Sequence, residues 1–223
     1  MAKSLFLQAL SKFLLGVLLV GVLIFLPAGT WFFPKGWLLM SILFIPMFLA
    51  GIVMLCRNPE LLQKRLRAKE KAREQSLVVK LSGLMFLAGF VAAGLNYRFR
   101  WYMLPAWVSI CAAAVFLAAY LLYAEVLREN TYLSRIIEVQ ENQKVIDTGV
   151  YAVVRHPMYT ATLLLFLSMP LVLGSLISFL IFLAYPFIIA RRIAHEEQFL
   201  EVELEGYCEY KSRVKYRLIP FVW

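Results

Sequence analysis

RHPMY (155–159) is followed by TATLLLFLSMPLVLGSLISFLIFLAYPFIIA (160–190) and then by RRIAHEE (191–197). The middle piece is apolar throughout, yet too long for one straight membrane helix at about 1.5 Å per residue. Pro170, Gly174 and Ser175 sit near its centre, where a turn can satisfy its backbone within protein. The stretch therefore predicts two short helices joined in a tight hairpin. A hairpin returns the chain to the side it came from, so the Arg-His-Pro cluster before it and the Arg-Arg to Glu-Glu cluster after it should meet at one membrane surface.

Working outward, apolar runs of about 18 residues or more mark further membrane helices at Leu5–Leu26, Gly36–Cys56, Leu77–Leu95 and Leu104–Ala124. The first competes with a secretory signal, but it exceeds the usual core of about 7–15 residues and a second span follows at once. The fold class expected is all-α: a polytopic integral membrane protein of about six transmembrane helices, the last two a short hairpin, with a cytoplasmic helical tail. Residues 1–223 form a single membrane domain, divided into four helices (1–124) and a half that carries the polar chemistry (125–223). Composition agrees, because 62% hydrophobic and 17% charged residues with a mean hydropathy of +0.74 contrast with about 45–50% and 25% in soluble domains.

The formal net charge of +9 is distributed as a topology signal. Arg57, Lys64, Arg65, Arg67, Lys69, Lys71 and Arg73 lie between helices two and three. Arg128, Arg135, Lys144 and Arg155 lie between four and five; Arg191, Arg192, Lys211, Arg213, Lys215 and Arg217 follow the hairpin. Only Lys35, Arg98 and Arg100 occupy the opposite loops. Both termini are accordingly expected on the cytoplasmic side, with the basic loops against anionic lipid rather than nucleic acid. Cys56, Cys111 and Cys208 are odd in number and far apart, which argues against a disulfide framework or a zinc site. Cys56 and Cys111, inside apolar runs, read as small buried hydrophobes. No metal site is expected, and no glycine-rich phosphate loop or Gly-x-Ser-x-Gly elbow is present.

The polar chemistry thus falls to a few residues. Pro157 suits the first turn of a helix, which puts Arg155 and His156 at a helix start whose free N–H groups favour an anion. Arg192 and Glu196 are four apart on one helical face, as are Arg191 and His195. The adjacent Glu196 and Glu197 cannot both face one pocket. Glu125 and Arg128 sit one turn apart where the fourth helix ends, and ionisable groups at that depth are costly unless paired or lining a cavity.

The order Gly149-Val150-Tyr151, Arg155-His156-Pro157-Met158-Tyr159, hairpin, Glu196-Glu197-Gln198-Phe199-Leu200, then Tyr207-x-x-Tyr210-x-x-x-Val214-x-x-Arg217-Leu218-Ile219-Pro220 closely resembles the isoprenylcysteine carboxyl methyltransferase family. These are integral membrane enzymes related to phospholipid methyltransferases. The match runs from Glu125 to the C-terminus, and Arg57-Asn58-Pro59-Glu60-Leu61-Leu62 resembles the loop of prokaryotic members. Val150 stands where many members have proline, and Leu204-Glu205-Gly206-Tyr207 is one residue shorter than the usual spacing.

The resemblance implies S-adenosylmethionine as methyl donor and a lipophilic acceptor entering from the bilayer of a prokaryotic inner membrane. It implies that Tyr151, Arg155, His156 and Tyr159 bind the cofactor, with Glu196 or Glu197 as acidic partner. Arg128, with Glu125 beside it, and Arg192 match the family's charged positions for orienting the acceptor. A carboxylate acceptor is already ionised at neutral pH and needs alignment rather than a base. A thiol or amine would want one, and Glu125 or His195 would then serve. Isoprenylcysteine-type carboxyl O-methylation is the activity expected. The alternatives are phospholipid N- or thiol S-methylation, or an NADPH-dependent reductase like the sterol reductases.

Overall fold

The computed structural model describes residues 2–66, 73–134 and 137–223; Arg67, Lys69, Lys71 and Arg135 lie outside the described residues. The helices in chain order are α1 (Ala2–Ala28), α2 (Pro34–Arg57), α3 (Pro59–Leu66), α4 (Arg73–Phe99), α5 (Ala106–Glu129), α6 (Pro157–Val172), α7 (Leu176–Phe182), α8 (Tyr185–Glu203) and α9 (Tyr207–Arg213), with one 3-10 turn at Gly149–Ala152. Among the described residues there is no strand ladder, only an isolated bridge between Met103 and Ser175. The protein is an all-helical membrane protein: α1, α2, α4, α5 and the combined α7–α8 limb are each long and apolar enough to cross a bilayer.

The hairpin departs from the expected pair of short helices. Its first limb, α6, is short, with 16 residues rising about 24 Å. Its second limb runs without leaving the helical direction from Leu176 to Glu203, interrupted at Leu183–Ala184, where Pro186 opens α8. The apolar run ends at Ala190, but α8 continues because Ile193 and Glu197 carry on the buried stripe begun by Tyr185 and Ile189. Hydropathy reports what lipid accepts, not where a helix stops.

At the turn, Gly174 has φ +73° and Lys35 fills the space a side chain would need. Lys35 Nζ donates to the Leu104 carbonyl at 2.8 Å, the Leu104 N–H donates to Gly174 O at 2.9 Å, and Ser175 caps α7 by accepting from the Ser178 N–H. The tip of the hairpin is thereby tied to the loops beside it. Deeper in, Phe86 packs edge-on against Phe166 and Phe182 at 4.7 and 5.3 Å. Ile24, Phe25 and Ala28 of α1 belong to the same core. α1 and α4 approach so closely at Gly94 that a side chain there would meet the Ile24 carbonyl oxygen at 2.5 Å.

The outer faces of α1, α2, α4 and α5 expose leucine, isoleucine and valine, and Trp31, Phe32, Trp37, Trp101, Tyr102 and Trp107 are exposed around the short loops at the hairpin-tip end, as an aromatic membrane-interface belt requires. Cys56 and Cys111 are exposed on this exterior, and Cys208 is exposed on α9. The expectation that the first two are buried is corrected: lipid, not a protein core, accepts them.

A polar cleft at the mouth of the hairpin

All of the dense polar contacts lie at the other end. α5 stops at Glu129, and its carboxylate turns back to accept the Val150 N–H at 3.0 Å. Gly149, at φ +50°, lies so close to that carboxylate that no side chain fits. This fixes the 3-10 turn that buries Tyr151. Its hydroxyl accepts from Asn130 Nδ2 at 3.0 Å, and its carbonyl accepts from the Tyr210 hydroxyl at 2.8 Å. Desolvation pushes the Tyr151 hydroxyl up to about 12 and raises Tyr210 likewise, so both remain neutral phenols.

The next residues pair with the C-terminal tail. The Arg155 and His156 N–H groups donate to Tyr216 O and Arg217 O, each at 2.9 Å, and Thr160 Oγ1 donates to Leu218 O at 2.8 Å. Pro157 opens α6 as expected, and His156 precedes it without its ring capping the helix. The ring serves the glutamates instead.

Glu196 and Glu197 have different tasks. Glu197 is 2% exposed and accepts from Arg155 Nε at 2.8 Å and from Arg217 Nε and Nη2 at 3.1 and 3.0 Å. His156 Nε2 lies 3.2 Å away and Lys211 Nζ 3.6 Å. Arg155 also donates to Val214 O and Lys215 O at 2.6 and 2.9 Å. This is a clasp joining α8, the start of α6 and the tail, and a buried carboxylate survives there because charge and hydrogen-bond partners surround it. Glu196 lines the cleft instead. It accepts from the Tyr159 hydroxyl, which itself accepts from Arg192 Nε at 2.9 Å. His156 Nδ1, 3.9 Å from Glu196 Oε1, bridges the two carboxylates.

The structure brings Tyr151, Arg155, His156, Tyr159, Arg192 and Glu196 to one cleft and leaves Glu197 behind its wall. Glu125 and Arg128 are not in the lining. They form an ion pair with each other, with Arg128 76% exposed. Two contributors were not singled out in the sequence. Glu129 is one, and it follows Val126 by three on the buried stripe Ala112, Phe116, Ala119, Val126, a signal that was readable. Arg65 of α3 is another, lying 5.5 Å over the Tyr123 ring and donating to Ser134 O at 3.3 Å; nothing in the sequence separates it from the neighbouring basic residues. Tyr207, part of the Tyr-x-x-Tyr motif but given no role from the sequence, also lines the cleft.

Residues 107–204, from α5 through the hairpin to the end of α8, match the phospholipid methyltransferase (PEMT) family model. The fold is similar to that of the eukaryotic intramembrane Ras methyltransferase ICMT (isoprenylcysteine carboxyl methyltransferase), solved without a monobody. The TM-score is 0.56 at 19% identity over 82% of this chain, which spans 65% of the length of that protein. No curated protein matches the chain.

Proposed function

From its place among ICMT/PEMT-like membrane proteins, we propose that the chain is an S-adenosylmethionine-dependent methyltransferase acting on a lipophilic acceptor, most closely an isoprenylcysteine-type carboxylate. The observation that carries the proposal is the cleft itself: Arg192 and Glu196, of opposite charge, face it from one turn of α8. Glu196 suits the ammonium of the cofactor's amino-acid end and Arg192 the anionic group of an acceptor, while the Leu200, Leu204 and Tyr210 end suits a flat base. The donor set fits the cofactor.

When bound, the cofactor supplies an electrophilic methyl group on a sulfonium, and transfer to an anion neutralises both charges. The protein's residues align the partners and exclude water. Glu196 holds a cationic group, and the Arg192–Tyr159 pair orients an anionic one. The Glu197 clasp keeps the two limbs at a fixed spacing. No residue is assigned to proton abstraction, because a carboxylate acceptor is ionised at neutral pH.

Arg128 and Glu125 remain acceptor-side residues in this proposal, serving a substrate that reaches past the end of α5. In this reading both termini and the cleft lie on the cytoplasmic face of a prokaryotic inner membrane, and the distribution of basic residues over the loops supports that orientation. The family match over residues 107–204 favours a second reading, N-methylation of a phospholipid amine, for which His195 or Glu125 would have to act as base.

Titration in detergent tests the reading: S-adenosylhomocysteine binds saturably and NADPH does not. Labelled methyl then appears in a base-labile ester of a prenylated cysteine and not in phosphatidylethanolamine. Saturable NADPH binding without a response to S-adenosylhomocysteine would overturn the methyltransferase; label in the phospholipid alone would move the chain to the second reading.

A further inference from the structure

The helices α5 and α6 set out from one level. The Leu104 N–H, just ahead of α5, donates to Gly174 O, just past α6, at 2.9 Å, and the two helices pack against each other from there. Their lengths differ. With 24 residues in α5 and 16 in α6, they rise about 36 and 24 Å, against a hydrocarbon layer about 30 Å thick. From the hairpin tip, α5 crosses that layer and α6 stops short of its far side. The start of α6 is therefore recessed into the bilayer below the end of α5.

The tail follows α6 into this recess. Tyr216 O, Arg217 O and Leu218 O accept in turn from the Arg155 N–H, the His156 N–H and Thr160 Oγ1, so the tail descends beside α6 by one helical turn. Leu218 there joins the core that holds Ile189 and Ile193. Beyond Leu218 the chain closes on itself. The N–H groups of Arg217, Leu218 and Ile219 all donate to Trp223 O, at 3.0, 2.9 and 3.1 Å, and those of Val222 and Trp223 donate to Ile219 O at 3.1 Å. Phe221 makes the turn at φ +65°, a conformation that is costly for a bulky residue and that these hydrogen bonds hold in place.

What the closed loop presents outward is apolar. Phe221 is 88% and Val222 75% exposed, with Ile219 and Trp223 exposed beside them. Just before the loop, Lys211, Arg213, Lys215 and Arg217 alternate along a stretch with no acidic residue after Glu209, Lys215 is exposed, and the Arg217 guanidinium lies 5.3 Å over the Trp223 ring. An apolar tip under a basic collar matches acyl chains under anionic headgroups, and the depth of the tail puts the tip at that boundary. We propose that residues 219–223 insert into the leaflet on the mouth side, with acyl chains packed around Phe221 and Val222. Arg217, which holds Glu197, heads the inserted loop, so the same turn moors the carboxylate clasp to lipid.

The test uses the full chain in bilayer discs of phosphatidylcholine and phosphatidylglycerol, carrying Cys56→Ala, Cys111→Ala and Cys208→Ala so that a single new cysteine takes a nitroxide label. Val222→Cys reports on the loop, Leu121→Cys on the exposed apolar face of α5, and Glu205→Cys on the exposed segment past α8. Collisions with oxygen, which concentrates in lipid, are compared with collisions with a nickel chelate, which stays in water. The label at 222 favours oxygen several-fold, as the label at 121 does, and the label at 205 favours nickel. Phe221→Cys gives the same order as Val222→Cys and replaces it where that variant does not fold.

Nickel access at 222 equal to or above oxygen access puts the loop in water and overturns the proposal. Poor access to both reagents means that protein covers the patch. Spin–spin broadening that vanishes on dilution with unlabelled chain means that a second copy does. Either result overturns the proposal as well. The label reads the surroundings of the loop alone, whatever group the chain methylates.

Discussion

The helices α1–α5 and the half of the chain after them are held together in opposite ways. In the first, contacts are rings and close backbones: Phe33 stacks on Tyr97 at 4.0 Å, and Gly94 lets α1 touch α4. In the second, a single buried carboxylate gathers Arg155, His156, Arg217 and Lys211 from three parts of the chain. Lipid explains the difference. Hydrocarbon does not compete for hydrogen bonds and fits a helix less closely than another helix does, so packed small residues and aromatic rings suffice within it. At the mouth, water meets membrane, segments without regular structure need their backbone groups satisfied, and charged side chains satisfy them.

The largest effect should come from removing the centre of the clasp. Glu197→Ala leaves Arg155 facing no carboxylate in a buried setting, a loss of about 3–5 kcal/mol. Thermal unfolding in detergent should show the drop, and proteolysis should release the tail after α8 before the helices α1–α5 are cut. If Glu197→Ala unfolds like wild type, the clasp is not what holds this half.

Its neighbour sharpens the contrast. Glu196→Gln keeps an acceptor for the Tyr159 hydroxyl while deleting the charge that faces the cleft. Stability should change by less than about 1 kcal/mol, whereas binding of S-adenosylhomocysteine should weaken about 10- to 100-fold, the range of a charged hydrogen bond. Calorimetry on the two variants side by side decides whether adjacent carboxylates divide scaffold from site as the geometry indicates.

This division was half legible in the sequence. The hydropathy of α1, α2, α4 and α5 marked their number and centres, and Pro170, Gly174 and Ser175 marked the turn, because lipid exposure and turn chemistry are local properties. Which glutamate faces the cleft is set by the rotation of α8, a tertiary property. Yet Tyr185, Ile189, Ile193 and Glu197 recur every four residues, and that spacing alone puts Glu197 on the inward stripe. Arg65 left no such trace, since its partners Tyr123 and Ser134 lie far along the chain.

Within the N-terminal helices the expected effect is smaller and of another kind. Gly94→Ala puts a methyl group against the Ile24 carbonyl and the Ala28 N–H, neither of which can swing aside. Overpacking of this sort costs about 1–3 kcal/mol. The unfolding temperature should fall while affinity for S-adenosylhomocysteine per folded molecule stays the same. A change in affinity would mean that the two regions communicate through α4 and α7.

The smallest effect belongs to the pair at the end of α5. Arg128 and Glu125 neutralise each other on an exposed turn, and such pairs contribute between nothing and about 1 kcal/mol. Arg128→Ala should therefore leave unfolding and S-adenosylhomocysteine binding within error of wild type, so any consequence must appear in the acceptor. A raised KM for the lipid with cofactor affinity unchanged would place the acceptor's anionic head beyond the cleft, over the end of α5. Wild-type kinetics would leave Arg192 to orient it, and the pair would then be only the charged end of a membrane helix.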